Sequence, residues 1–260
     1  MTWNINPVAI NLGAIKIHWY GIIFATGLFL AYNLTEYMFK KEGKNSKDIE
    51  SLFVYVVVGM IIGSRLAHVL FYDLDFYLAH PLEIFMVWHG GLASHGGFLG
   101  VIIALWLFAK KYNYSYMWLL SRGAIGAMLI ATFIRIGNFF NSEIVGLPTK
   151  SLFGVIFQRV DNIPRHPVVL YESLAYFIIF LILLTLYKKL SPQKFTKIGF
   201  GLVLVLGFGT RVFLEQFKTA QSEFAYELPL TMGQLLSIPF IIIGAIILIY
   251  GLKSNNTSTN

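Results

Sequence analysis

The sequence predicts an all-α integral membrane protein with seven transmembrane helices and a small extracytoplasmic cap between spans four and five. Three observations predict it. The chain is 57 % hydrophobic and only 13 % charged over 260 residues, with a mean hydropathy of +0.67, far too apolar for a soluble domain of this size. Apolar runs approaching the ~20 residues that cross a bilayer recur seven times along it. Basic residues fall preferentially on alternate connections between those runs, as the positive-inside rule requires.

The runs are Trp19 to Met38, Leu52 to Tyr72, Phe98 to Ala109, Trp118 to Phe140, Val168 to Tyr187, Ile198 to Leu214 and Met232 to Tyr250. The third is short unless the glycine-rich stretch before it joins the helix. The opening M-T-W-N-I-N-P has no basic region ahead of an apolar core, so the first span is expected to stay rather than act as a cleaved signal. Lys40, Lys41, Lys44, Lys47, Lys110, Lys111, Lys188, Lys189, Lys194, Lys197 and Lys253 make 11 of the 20 basic residues and lie on one set of loops, which are therefore cytoplasmic. The other set holds Lys16, Lys150, Arg159, Arg165 and Lys218. The N-terminus is thus expected outside and the C-terminus inside. This placement also accounts for the net charge of +7 without a nucleic-acid partner.

Short connections predict a single membrane domain over residues 1–252. The exception is the segment at about 141–167, with prolines at 148, 164 and 167, where S-L-F-G-V-I-F-Q-R-V reads as strand-like and forms the expected cap. The polar tail, residues 253–260, is expected to be disordered. The chain has no cysteine, which excludes disulfides, thiolate metal sites and a thiol nucleophile of its own.

Four arginines remain inside the spans: Arg65, Arg122, Arg135 and Arg211. An intramembrane charge needs a partner or a cavity. At ~1.5 Å per helical residue from the cytoplasmic end of its span, Arg65 and Arg135 lie roughly 25 Å up and Arg211 about 20 Å up. His95 lies ~22 Å up, Glu172 ~24 Å and Tyr20 ~30 Å. Six spans thus send polar groups to one layer in the outer half of the bilayer. Arg122, only about 9 Å up, is expected to snorkel and anchor.

An excess of arginine in such a layer suits an anionic ligand, and phospholipid head groups are the abundant anions there. Structural ion pairs, for example Arg65 with Glu172, are the alternative reading. In H-G-G-L-A-S-H-G-G, His89 to Gly97, the glycines suit either close approach to a ligand or close helix packing. His89 falls at the wet rim, whereas His95 falls level with the arginines, where a neutral ring could serve as general base. A serine hydrolase built on Ser94 and His95 lacks an orienting carboxylate, and Glu83, His89 and His95 fit no helical metal-ligand spacing. In R-I-G-N-F-F-N-S-E-I-V-G, Arg135, Asn138, Asn141 and Glu143 crowd the outer end of span four. In R-V-F-L-E, Arg211 and Glu215 stand at i, i+4 and are expected to pair.

These stretches, with H-W-Y-G at 18–21, G-S-R at 63–65, R-H-P and L-Y-E at 165–172 and M-G-Q-L-L-S-I-P at 232–239, run in an order that resembles the bacterial prolipoprotein diacylglyceryl transferases. The resemblance implies an enzyme of the bacterial cytoplasmic (inner) membrane. It implies transfer of the diacylglyceryl group of phosphatidylglycerol to the thiol of a prolipoprotein lipobox cysteine, the first step of lipoprotein maturation, with no cofactor or metal. It also implies that His95 is the base, that Arg135 binds the lipid phosphate and that Arg211 stabilises the departing phosphate. Tyr20, Asn138, Glu143 and Gly146 would shape the site, with Glu215 and Arg65 among the lipid-binding groups. The arginine layer alone would equally suit a non-enzymatic transporter or flippase for an anionic phospholipid.

Overall fold

The computed structural model describes residues 1–13, 15–219 and 230–253. Seven long helices dominate: α1 Trp19–Lys41, α2 Asp48–Phe71, α4 Ser94–Tyr112, α5 Tyr116–Asn141, α6 Val168–Lys189, α7 Pro192–Leu214 and α8 Met232–Lys253. All but α4, of 19 residues, are long and apolar enough to cross a bilayer. Their outward faces are apolar as well as their inward ones: Phe29, Val54, Ile103 and Leu174 are all more than half exposed. Large aliphatic side chains on so many outward faces match a lipid solvent rather than water. The chain is a multi-pass membrane protein.

It folds as two compact units, Glu36–Leu120 and Met1–Thr35 with Ser121–Asn260. In the first, α2 and α4 meet backbone to backbone. A Cβ placed on Gly63 would run into the Gly96 carbonyl oxygen, one on Gly96 into Ala67 and the Gly63 carbonyl, and one on Gly100 into the Gly59 carbonyl. Small residues at these positions let two helices approach until dispersion forces act between their main chains, which drives association where lipid removes the hydrophobic contribution. The short apolar run at 98–109 therefore gains its N-terminal turns from the glycine-rich stretch, and α4 starts at Ser94. Between α2 and α4 the chain forms a short helix α3, Leu74–Ala79, and two 3-10 turns, Pro81–Phe85 and Val87–His89.

In the second unit α7 and α8 repeat the device, with Gly201 and Gly244 each 2.9 Å in Cβ reach of the other's carbonyl oxygen. Ser191 caps α7, its hydroxyl accepting from the Lys194 amide, and Pro192 occupies the first turn, so the helix begins six residues before the apolar run. Arg122 does not snorkel. It is 1 % exposed, donates to the Ser121 hydroxyl (2.8 Å), the Thr196 hydroxyl and the Pro192 carbonyl (3.1 Å), and lies over the Tyr187 and Phe195 rings. The first turns of α7 and the neighbouring Ser121 of α5 supply these acceptors, so a buried clamp replaces the expected surface anchor.

The strand-like reading of the 141–167 segment corresponds to β4 Val155–Phe157 and β5 Pro164–Arg165. A strand the apolar pattern gave no sign of, β1 Thr2–Trp3, pairs parallel to β4 and completes a three-stranded sheet. Trp3 packs against Phe139 with ring centroids 4.3 Å apart, joining a core of Phe139, Val155, Phe157 and Val169. A hairpin of β2 Val8–Asn11 and β3 Lys16–His18 leads into α1. Lys253 is the last residue of α8, and the rest of the tail expected to be disordered lies outside the described residues.

Gly63→Leu is expected to lower unfolding stability in detergent by about 2–3 kcal/mol through overpacking. Gly209→Ala, where an added Cβ meets nothing within 4 Å, is expected to change it by less than about 0.5 kcal/mol. Thermal unfolding of the two variants beside the parent protein checks the difference.

Candidate active site

The polar groups of the larger unit gather where α5 and α7 end and where α1, α6 and α8 begin. Arg135 lies six residues before the end of α5, Glu172 is the fifth residue of α6, Arg211 lies three residues before the end of α7, and Tyr20 is the second residue of α1. Glu172 is fully buried. One carboxylate oxygen takes the Arg135 Nε at 3.0 Å and the other the Lys218 Nζ at 2.8 Å. Lys218 also reaches Glu215 at 3.1 Å. Arg135 turns a second nitrogen, Nη1, to the Asn138 side-chain oxygen at 3.3 Å. Asn138 in turn donates to Glu143 at 2.8 Å, and Asn141 donates to the other oxygen of Glu143 at 3.0 Å. Tyr20 packs over Gly137, and its hydroxyl lies in the field of Glu143 and Arg135. The Tyr176 hydroxyl lies in that of Glu172, Arg135 and Arg211.

The backbone explains why these groups meet. Ser142 and Ile144 both adopt positive φ, near 57° and 53°, turning the chain sharply out of α5. The Glu143 amide closes that turn on the Asn138 carbonyl at 3.0 Å. Gly146 then bridges Lys218, and the Leu147 amide donates to the Phe217 carbonyl at 2.8 Å. A Cβ on Gly146 would stand 2.5 Å from the His166 carbonyl oxygen and 2.6 Å from Val168, so only glycine fits between the two segments. Its part is to let main chains pass closely, which brings Lys218 to Glu172.

The smaller unit holds the other predicted residues. Arg65 does not pair with Glu172: it is 3 % exposed and gives all five guanidinium N–H groups to main-chain carbonyls of residues 83–91. His95 is exposed in the first turn of α4, on the face that carries Leu99 and Ile103, while Gly96, Gly97 and Gly100 face α2. The glycines after His95 thus serve helix packing. Gly90 and Gly91, with φ of 89° and 70°, make the turn that precedes it. His89 sits half exposed against Glu83 at 2.8 Å, and the described residues contain no cluster of three metal-ligating side chains. The Ser94 side chain lies outside what the structure describes.

A family model described as prolipoprotein diacylglyceryl transferase matches residues 7–250. The chain belongs to the prolipoprotein diacylglyceryl transferase family. A phosphatidylglycerol–prolipoprotein diacylglyceryl transferase of Tolumonas auensis is 44 % identical over 252 residues, covering 96 % of this chain and 97 % of the relative. Its counterpart in Chloroherpeton thalassium is 46 % identical over 252 residues, 96 % and 94 %. The one in Bacteroides fragilis is 42 % identical over 268 residues, 98 % and 97 %. The protein is a membrane transferase of lipoprotein biosynthesis.

Two features of the transferase depart from the expected layer. The described cluster is balanced, with Arg135, Arg211 and Lys218 facing Glu143, Glu172 and Glu215, so it has no excess of positive charge. Glu215, expected to hold Arg211, takes Lys218 instead and leans on α8, where a Cβ on Gly233 would press 2.5 Å from its carboxyl carbon. The Arg211 Nε is buried with no hydrogen-bond partner among the described residues. Lys218 is the residue that sequence reasoning missed as part of the site. Its signal was the R-x3-E-x2-K spacing from Arg211 through Glu215, passed over because the lysine follows the end of the span.

Glu172→Ala strands Arg135 and Lys218 without their shared partner and is expected to cost about 3–5 kcal/mol of stability. Glu143→Ala, at an exposed position, is expected to cost about 1 kcal/mol or less. Unfolding midpoints in one detergent, measured for both, check the contrast.

Proposed function

We propose that the transferase moves the diacylglyceryl group of phosphatidylglycerol onto the thiol of a prolipoprotein lipobox cysteine. A sulfur–carbon bond forms at the glycerol carbon, the carbon–oxygen bond to phosphate breaks, and glycerol phosphate departs while the thiol proton passes to a base. The observation that carries the reading is the buried Arg135–Glu172 pair with the unspent Arg211 Nε in the same cluster. A fixed guanidinium and an unsatisfied N–H donor suit a phosphate whose charge grows as it leaves, and such preorganised donors supply the largest part of most rate enhancements. Full-length similarity to transferases named for phosphatidylglycerol and prolipoprotein supports the substrates.

In this reading Arg135 binds the lipid phosphate and Arg211 meets the charge that develops on departure. Tyr20, Asn138 and Glu143 fix the orientation of Arg135, Glu215 holds Lys218, and Gly146 permits the close passage of chain that assembles them. His95 takes the thiol proton; a thiol of pKa ~8.5 needs only modest help to react as thiolate. The nucleophile belongs to the substrate, in keeping with a chain without cysteine. The protein lies in the bacterial cytoplasmic membrane, with α4, about 28 Å long at 1.5 Å per residue, as its seventh span. The N-terminus and the 141–167 cap face outward and the C-terminus faces the cytoplasm, as the lysine distribution indicates.

Incubation with phosphatidylglycerol and a lipobox peptide is expected to add the mass of a diacylglyceryl group to the peptide cysteine. Arg135→Ala and Arg211→Ala are each expected to slow this about 100-fold or more, whereas Lys40→Ala, at a surface ion pair with Glu36, leaves it unchanged. A folded protein that moves lipid between leaflets without modifying the thiol would establish the transporter reading in its place.

A further inference from the structure

Arg65 spends its guanidinium in an unusual way. Nε donates to the Ile84 carbonyl at 3.0 Å, Nη1 to Gly90 at 2.5 Å and Gly91 at 3.2 Å, and Nη2 to Met86 at 3.3 Å and to Glu83. All five acceptors are main-chain oxygens of one segment, residues 83–91. The cation also stacks on the buried Tyr77 ring, its central carbon 4.9 Å from the ring centroid. The one carboxylate of that segment, Glu83, is turned to His89. With every donor used, Arg65 has none left for a lipid phosphate unless the segment lets go.

The segment it holds runs directly into α4. Gly90 and Gly91 reverse the chain at positive φ, the Ala93 amide then donates to the carbonyl of Ser64, the neighbour of Arg65, at 3.0 Å, and His95 follows as the second residue of the helix. The glycine seam fixes the distance of α4 from α2. The Arg65 fork fixes the chain leading to its first turn.

We propose that Arg65 is a positioning residue for the transfer reaction: it clamps the 83–93 segment so that His95 is presented in one orientation, and it makes no contact with lipid. This rests on the reading of His95 as the proton acceptor. A lysine has three donors on a single compact centre and cannot span carbonyls contributed by five residues, whereas a phosphate-binding arginine is partly replaced by lysine as a point charge. The lysine variant therefore separates the two roles.

The test compares Arg65→Lys and Gly90→Ala with the parent protein, measuring kcat, KM for phosphatidylglycerol and amide hydrogen exchange over residues 83–93. Gly90→Ala keeps the Arg65 side chain and places its methyl in open space, so it acts by straining the left-handed turn whose carbonyl Arg65 holds, and it serves if the lysine variant fails to fold. Both variants are expected to lose about 10- to 100-fold in kcat, the range expected when a reacting group is misplaced by about 1 Å. KM is expected to stay within about twofold, and 83–93 amides are expected to exchange at least tenfold faster. A raised KM with unchanged kcat and exchange in Arg65→Lys, or parental kcat and exchange in Gly90→Ala, would overturn the clamp. Absence of transfer by the parent protein would instead overturn the reading of the reaction, while the exchange measurement would still report on the clamp.

Discussion

Glu172 has no solvent-exposed surface, and a lone carboxylate in that place would be neutral or would bring the helices apart. Two cations, Arg135 on one oxygen and Lys218 on the other, face it and hold it in place. Each cation is in turn held for a different purpose. The arginine has its Nε fixed and a second nitrogen on Asn138, whereas the lysine ties the segment after α7 to α6. Such an ion triad contributes little net stability compared with well-packed apolar side chains, but loss of a single member is costly. Its value is geometric: it makes the orientation of Arg135 a property of the fold, so little reorganisation is needed when a phosphate arrives.

Each unit, taken by itself, also has helices packed closely enough to exclude water and lipid from between them. Glycines supply the closeness twice, in the α2–α4 seam and in the α7–α8 seam. The rest of the H-G-G-L-A-S-H-G-G stretch divides by position: one pair of glycines turns the chain and the pair after His95 packs the helix. A ligand needs to touch neither pair. Arg65 and Arg122 show a second recurring device, an intramembrane guanidinium that donates to main-chain carbonyls or hydroxyls. Both satisfy a costly buried charge by organising a connection between helices.

Helix positions were legible in the sequence because apolar runs and flanking lysines report directly on the bilayer. Depth counting also grouped Tyr20, Arg135, Glu172 and Arg211 correctly, since helical rise is uniform. It did not distinguish an arginine whose donors are consumed from one whose donors are available, because that depends on which carbonyls a turn aims at it; Arg65 is of the first kind. Lys218 was hidden as well, because it enters the cluster through strand-like bridging at Gly146 that no periodicity signals. The short strand at Thr2–Trp3 was likewise hidden, because two residues carry no alternation.

The central claim is that a phosphate meets Arg135 while Glu172 continues to hold it. An experimental structure of the protein with phosphatidylglycerol bound tests this most directly. Lipid phosphate oxygens are expected within hydrogen-bond reach of the Arg135 Nη atoms, with the Nε–Glu172 bond retained near 3.0 Å and Arg65 still on the carbonyls of residues 83–91. Phosphate seated on Arg65, or an Arg135 that abandons Glu172 to bind it, would contradict the account.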